Sequence, residues 1–263
     1  MAFTNKRGEV SLENFVRFFR EFTLPTSNLK LALINTLITF ALVFISYPLK
    51  VLVSYFLYKK IPGHKFYRII FFLPSIIFSV AIAMVFKRMV DVNGFVAQSI
   101  GEWMNLDYTP ELLADSRFAN ATVLFHMMWM QFPGSMVIWG GTFARIPEDV
   151  LESGRIDGVN WWQEFTRIIV PLVWPTVALQ MVLLFCGIFG ATGEVFLLTE
   201  GQYGTVNLYT WIYLQLYSHS GNNYTSNIYN FMSAGGMVMT VIAITISLLV
   251  RRITDKAFEE VEF

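Results

Sequence analysis

An all-α fold that crosses a membrane several times is predicted by three observations. Of 263 residues, 55% are hydrophobic and only 14% charged, well below the roughly 25% charged residues of soluble domains, and the mean hydropathy is +0.51. The apolar residues are grouped into runs of the length a bilayer requires, roughly 20 per helix for a hydrocarbon core about 30 Å thick. Lys and Arg are spread unevenly among the loops between those runs, as the positive-inside rule demands of a polytopic chain. The formal charge of +0 gives no global field toward nucleic acid. A single cysteine, Cys186, excludes an intrachain disulfide and every multi-cysteine metal site.

Residues 1–30 are basic, with Lys6, Arg7, Arg17, Arg20 and Lys30. MAFTNKRGEV lacks the apolar region of a signal peptide. SLENFVRFFREF instead reads as an amphipathic helix with Leu12, Phe15, Val16, Phe19 and Phe22 on one face, a pattern that lies in the membrane interface rather than across it.

Five apolar segments follow, at about 31–57, 69–86, 121–144, 168–198 and 230–250, so that 31–250 forms the transmembrane region. The first contains Pro48 and Lys50, the third Pro133. Proline is tolerated inside a span where neighbouring helices or cavity water satisfy the carbonyl it frees. Lys50 is expected to snorkel its amine to the cytoplasmic headgroups.

Loop charge sets the orientation. YKKIPGHKFYR holds Lys59, Lys60, Lys65 and Arg68 with no acid, and Arg251 and Arg252 follow the last span. The loop from Glu200 to Tyr229 has no Lys or Arg, and the one through Asp91, Glu102, Asp107, Glu111 and Asp115 is mainly acidic. Residues 58–68, 145–168 and the tail 251–263 are therefore expected in the cytoplasm. That leaves the basic amino terminus outside, an arrangement that a further span ahead of it would explain.

Residues 148–171, EDVLESGRIDGVNWWQEFTRIIVP, interrupt the apolar pattern with a short helix, a turn, a second short helix and re-entry into the membrane. Pro147 suits the first helical position, and Glu148 and Asp149 complement the helix dipole. Asp157-Gly158 supplies the break, with Gly158 free to adopt a left-handed cap. Asn160 is placed to cap the next helix with Gln163 at the reciprocal position, and Pro171 suits the start of the next span. Small Ser153 and Gly154 beside Glu152 let another surface approach an exposed helix closely.

ESGRIDGVNWWQEFTRIIVPL resembles the EAA loop of binding-protein-dependent ABC transporter permeases. More narrowly, it is similar to the MalF-like subunit of carbohydrate importers, in which Glu-Ala-Ala, Asp-Gly and Ile-x-Leu-Pro recur at these spacings. Here Ser153-Gly154 replaces Ala-Ala, and Val170 stands before Pro171 in place of Leu. NTLITF at 35–40, FYRIIFFLPSII at 66–77 and VFLLTEG at 195–201 are also similar to the family, so the likeness covers nearly the whole chain. It implies the permease core of a type I ABC importer. The family usually has six core spans, the first preceding a stretch like FTNKRGEVSLENFVRFF, so five are expected here.

The resemblance implies a division of labour. Glu152, Ser153, Gly154, Asp157, Gly158 and Pro171 would form the coupling loop that docks on a cytoplasmic ATPase dimer. The plainer reading, that Glu152 and Asp157 pair with Arg155 or Arg167, is compatible with it. No G-x-x-x-x-G-K-[ST] pattern occurs, so ATP and Mg are expected on the partner ATPase and no cofactor on this chain. A second, different permease subunit and an extracellular solute-binding protein are the other expected partners, in a bacterial cytoplasmic membrane.

A sugar or oligosaccharide is the solute the resemblance implies. By position in the family, Met127, Met130, Gln131 and Gly134 of the third span would line its path, with Leu184, Gly187, Ile188 and Ala191 of the fourth opposite. Gln131 is suited to hydrogen-bond sugar hydroxyls while Trp129 or Phe132 packs on a pyranose face. Glu194 belongs either to the path or to the outer rim, whereas close helix packing is the better reading for Gly190 and Gly193. A polyol, glycerol phosphate ester or uronate oligomer is the alternative; an anionic solute wants cations in the cavity, and Lys50 is the one intramembrane candidate. An intramembrane enzyme or passive channel has little support, because no nucleophile–base constellation occurs. His64 reads as solvated, and His126 and His219 lack metal-ligand partners at useful spacing. The polar segment 217–230 reads as a connector.

Overall fold

The computed structural model describes residues 2–3, 9–24, 27–190, 193–218 and 225–257, and every regular element among them is helical. Of the expected connector 217–230, positions 219–224 lie outside these residues, as do 258–263 of the tail, while 217–218 and 225–230 are helical rather than loop. The helices are α1 (Glu13–Glu21), α2 (Leu29–Tyr58), α3 (His64–Ile76), α4 (Ser79–Val90), α5 (Phe95–Trp103) and α6 (Ala119–Phe143). The second half adds α7 (Glu148–Ile156), α8 (Trp161–Leu172), α9 (Trp174–Cys186), α10 (Glu194–Thr199), α11 (Leu208–Ser218) and α12 (Thr225–Ala257).

Three of the expected spans are unbroken helices: α2 carries Pro48 inside it, α6 carries Pro133, and α12 runs for 33 residues. Leu29–Tyr58 and Ile228–Lys256 are each long and apolar enough to cross a membrane, and two bent helix pairs bring the possible number to four. α6 has the length, 25 residues or about 37 Å at 1.5 Å per residue, but His126 and Gln131 make it more polar.

The other two expected spans are interrupted. The run 69–86 breaks at Ile77, which is extended at φ −83° and ψ 139°. The run 168–198 is divided twice. α8 ends at Leu172 and α9 leaves it at 73°, and a turn at Gly187–Gly190, closed by Gly190 N–H on Gly187 O at 2.7 Å, ends α9. The turn at 187–190 needs a residue without a β-carbon, since one on Gly190 would meet Gly187 O at 2.7 Å.

The chain forms two compact units. The first comprises 1–41, 79–127 and 187–245 and is built around Phe18, Leu29, Trp211, Phe231 and Met232. In α1 the face read from the sequence is split: Leu12, Val16 and Phe19 stay outward, as an interfacial helix would have them, while Phe15 and Phe22 turn partly inward. Phe18 is buried. Phe15, Phe18 and Phe22 form a second apolar stripe at helical spacing, and it is this one that docks. A β-carbon on Gly235 of α12 would meet the Phe18 ring at 2.8 Å, and the Arg17 guanidinium lies 4.5 Å from the Phe231 ring centre.

Polar contacts also tie the first unit together. Asn35 of α2 donates to Gly204 O at 2.7 Å and Val206 O at 2.9 Å. Its side-chain oxygen accepts from Asn120 at 3.2 Å. Thr36 Oγ1 accepts from Leu208 N–H at 3.0 Å. These bonds hold the turn 200–207, in which Glu200, Gly201, Tyr203 and Gly204 all have positive φ.

The second unit comprises 42–78, 128–186 and 246–263. Tyr47, Val51 and Tyr55 of α2 pack with Trp139 and Phe143 of α6, Leu151 of α7, and Phe165 and Ile169 of α8. Trp174 Nε1 of α9 donates to Thr254 O of α12 at 3.0 Å.

Candidate functional site

The polar elbow belongs wholly to the second unit, and its turn chemistry follows the sequence closely. α7 ends in a Schellman arrangement: Val159 N–H bonds to Gly154 O and Gly158 N–H to Arg155 O, both at 3.1 Å. Gly158 takes the left-handed conformation at φ +74°. Asn160 Oδ1 then accepts from Trp162 N–H at 3.1 Å and Gln163 N–H at 2.9 Å. Gln163 Oε1 returns an acceptor to Asn160 N–H at 3.0 Å, completing a reciprocal cap.

Two prolines stand elsewhere than expected. Pro147 is the N-cap residue of α7 in extended conformation, one position before the helix. Pro171 lies inside α8, near its end, so the next helix begins at Trp174 rather than at Pro171. Just ahead of Pro171, residues Glu164–Ile169 form a π-helical turn. Proline removes one i→i−4 bond and crowds the carbonyl below it, and a widened turn is a common way for a helix to absorb such a disturbance.

The exposed face of α7 carries Glu152, Ser153, Ile156 and Asp157, followed by Gly158. Among the described residues neither Glu152 nor Asp157 forms an ion pair with Arg155 or Arg167. Ile156 is 85% exposed, and Trp161 and Trp162 are about half exposed beside it. Gly154 is the correction: it is buried, and a β-carbon there would meet Ile168 Cδ1 at 2.8 Å. Its smallness serves the packing of α7 on α8, not the approach of an outside surface.

Underneath the elbow lies a contact that the sequence reading missed. Lys59, just beyond α2, donates to both carboxylate oxygens of Glu164 at 2.6 Å. Glu164 is only 5% exposed, and the ammonium also lies 5.8 Å from the Tyr55 ring centre. The one local sign was an acid set among aromatic and apolar residues, WWQEF, at the start of the buried turn.

The expected solute path divides between the units. In the second unit, Met130 and Gln131 are half-buried and Gly134 is exposed with open space around it. Leu184 is half-buried. Phe132 stacks on Phe71 with ring centres 5.7 Å apart, which covers one of its faces. Lys50 does not snorkel. It is 4% exposed, and its ammonium lies 3.4 Å from Gln131 Oε1 and 6.0 Å from the Phe132 ring centre. Eight residues from the end of α2, or about 12 Å, its side chain satisfies itself against α6 instead.

In the first unit, Gly187 is exposed and Glu194 half-buried. Met127 and Ile188 are buried in the packing of their own unit and offer a solute no surface. Ala191 lies outside the described residues. Between α1, the turn at Gly201 and α11 the same unit holds an open cleft of about 530 Å3, lined by Glu21, Asn28, Trp211, Gln215 and Tyr217 among others.

Comparison with known proteins places these features in context. Residues 50–259 match the family described as binding-protein-dependent transport system inner membrane component. The multiple sugar-binding transport system permease protein MsmF of Streptococcus mutans is 22% identical over 220 residues, covering 83% of this chain and 73% of that protein. The osmoprotective compounds uptake permease protein GgtC of Synechocystis is 30% identical over 207 residues, covering 76% of this chain and 71% of its own. A solved bacterial ABC transporter involved in import of the acidic polysaccharide alginate shares the fold with a TM-score of 0.78 at 22% identity, over 95% of this chain and 85% of that one.

Proposed function

The chain belongs to the family of binding-protein-dependent transport system inner membrane components, and from that membership we propose that it is the MalF-like permease subunit of an ATP-driven importer for a sugar or oligosaccharide. The observation that carries this reading is the elbow. A water-exposed helix presents Glu152, Ser153, Ile156 and Asp157, at the spacing the coupling loop of such permeases requires. The chain has no phosphate-binding loop of its own, so ATP and Mg sit on a cytoplasmic ATPase dimer that grips this helix. A second permease subunit completes the pore, and an extracellular binding protein delivers the solute. The loop-charge bias favours the cytoplasmic side for the elbow. Similarity to a multiple-sugar permease supports the saccharide.

In the transport cycle, closure of the ATPase dimer moves α7, and the spans exchange an inward-open for an outward-open arrangement as packed bodies. On the path, Gln131 and the open space at Gly134 meet the solute. The test is a Ser153→Cys variant carrying a short photo-crosslinker in membrane vesicles. Capture of an ATP hydrolase from the cytoplasmic side is expected, and labelling only from the outside of intact cells would refute the assignment.

Lys50 supports a second reading of the solute. A buried ammonium within a span, beside a half-buried amide, suits a carboxylate or phosphate group on the cargo, as in a uronate oligomer or a glycerol phosphate ester. The similarity to an osmoprotectant permease keeps polyols in view as well. Calorimetry of the partner binding protein against neutral and acidic saccharides decides between them.

A further inference from the structure

The route by which motion of α7 reaches the first span is not the covalent chain. From α7 toward α9, the backbone passes through a left-handed turn at Gly158, a π-helical turn at Glu164–Ile169 and a 73° bend. Each interrupts the regular i→i−4 ladder of a helix. Toward α2 there is no nearby covalent link, since Glu164 lies 105 residues from Lys59.

The shared apolar core of Val51, Tyr55, Leu151, Phe165 and Ile169 bridges that gap, and three contacts within or beside it can be singled out. The Tyr55 and Phe165 rings are 5.2 Å apart, and those of Phe56 and Trp161 5.4 Å. Both are tilted ring pairs between uncharged side chains. The third contact is different: one ammonium holds both oxygens of a carboxylate that is almost fully buried. Such a charge-assisted pair is short, directional and strongly disfavoured when only one partner remains. It is also placed at the first residue of the π turn, so it pins the elbow where its regular helix gives way.

We infer that the Lys59–Glu164 pair is the strap through which displacement of the coupling helix is passed to α2, making both residues positioning residues for coupling ATP hydrolysis to transport. The inference rests on the permease reading above. Gly154 packed on Ile168 and buried Leu151 fasten α7 to the elbow, and Glu164 and Lys59 fasten the elbow to the inner end of α2. When α7 moves, α2 follows.

The experiment uses the full transporter, purified with its ATPase, in a Cys186→Ala background. An environment-sensitive dye is placed on α2 through Ile45→Cys, a position 69% exposed. The readouts are ATPase co-purification, the rate of phosphate release, and the dye response to ATP with vanadate. Lys59→Gln and Glu164→Gln are expected to keep the ATPase and at least half its hydrolysis rate while the dye response falls about fivefold or more. Lys59→Arg should stay near wild type, and the reversed pair Lys59→Glu with Glu164→Lys should recover at least half the response. A wild-type dye response in both single variants would overturn the proposal, as would a reversed pair that assembles without recovery. If neither single variant assembles, the pair is a folding contact and the proposal falls. If wild-type protein retains no ATPase, the permease reading itself falls, and the strap with it.

Discussion

A β-carbon on Gly154 would stand 2.8 Å from Cδ1 of Ile168, so the smallest residue of the exposed helix is small for the sake of its own chain. The atom it would meet is the far end of a side chain able to rotate. Gly154→Ala should therefore lower stability by less than about 1 kcal/mol, whereas Gly154→Leu overpacks the α7–α8 contact and should lower it by about 1–3 kcal/mol. Thermal unfolding in detergent measures both, and adding Ile168→Ala should return part of the loss to the leucine variant.

Ile156, not Gly154, is the exposed apolar residue of α7, and on the coupling-helix proposal it is the one an ATPase would cover. At 85% exposure it contributes little to the isolated chain, so Ile156→Asp should leave the unfolding transition within about 0.5 kcal/mol of wild type. Burying such a side chain on a partner is worth about 1.5–3 kcal/mol. Retention of the ATPase should fall roughly 10- to 100-fold, as read by titrated co-purification.

Asn160 satisfies two backbone donors at the start of α8. Asn160→Ala should cost about 1 kcal/mol and Asn160→Ser only a few tenths, because a hydroxyl replaces the capping oxygen. Gln163→Ala should lie between the two, since it removes the return bond alone. Hydrogen exchange at Trp162 and Gln163 amides reports the fraying directly.

Asn35 holds two carbonyls of the 200–207 turn. Asn35→Leu strands Val206 O in a buried setting at about 1–3 kcal/mol, while Gly204 O, on an exposed residue, can turn to water. The variant should unfold earlier and show protease cleavage near Tyr203 well before the helices are cut.

Short-range chemistry was legible in the sequence and long-range pairing was not. Asp157-Gly158 and Asn160 with Gln163 specify their turns within a few residues, and the structure forms them as read. The span read at 31–57, which forms α2 at 29–58, was equally plain, because a long apolar stretch has few alternatives in lipid. The breaks at Ile77 and at Gly187–Gly190 were hidden, since apolar continuity says how much can be buried but not whether the backbone stays straight. Gly154 misled because one small residue serves inner packing and outer docking alike. Lys50 with Gln131 and Lys59 with Glu164 are separated by 81 and 105 positions, and no local pattern encodes such partners. In α1 two phenylalanine-rich stripes compete, and only Gly235 on a distant helix decides between them.

That keyed seat for Phe18 has a bearing on the surrounding lipid. With one edge of the short amino-terminal helix locked to Gly235, its opposite edge of Leu12, Val16 and Phe19 is an oily runner fixed to the last long helix. Any tilt of that rod raises or lowers the runner through the headgroup layer, at about 25 cal/mol for each Å2 of apolar surface wetted. With α1 in the interface, as its sequence predicts, bilayer thickness and acyl packing would bias how far the last helix can tilt.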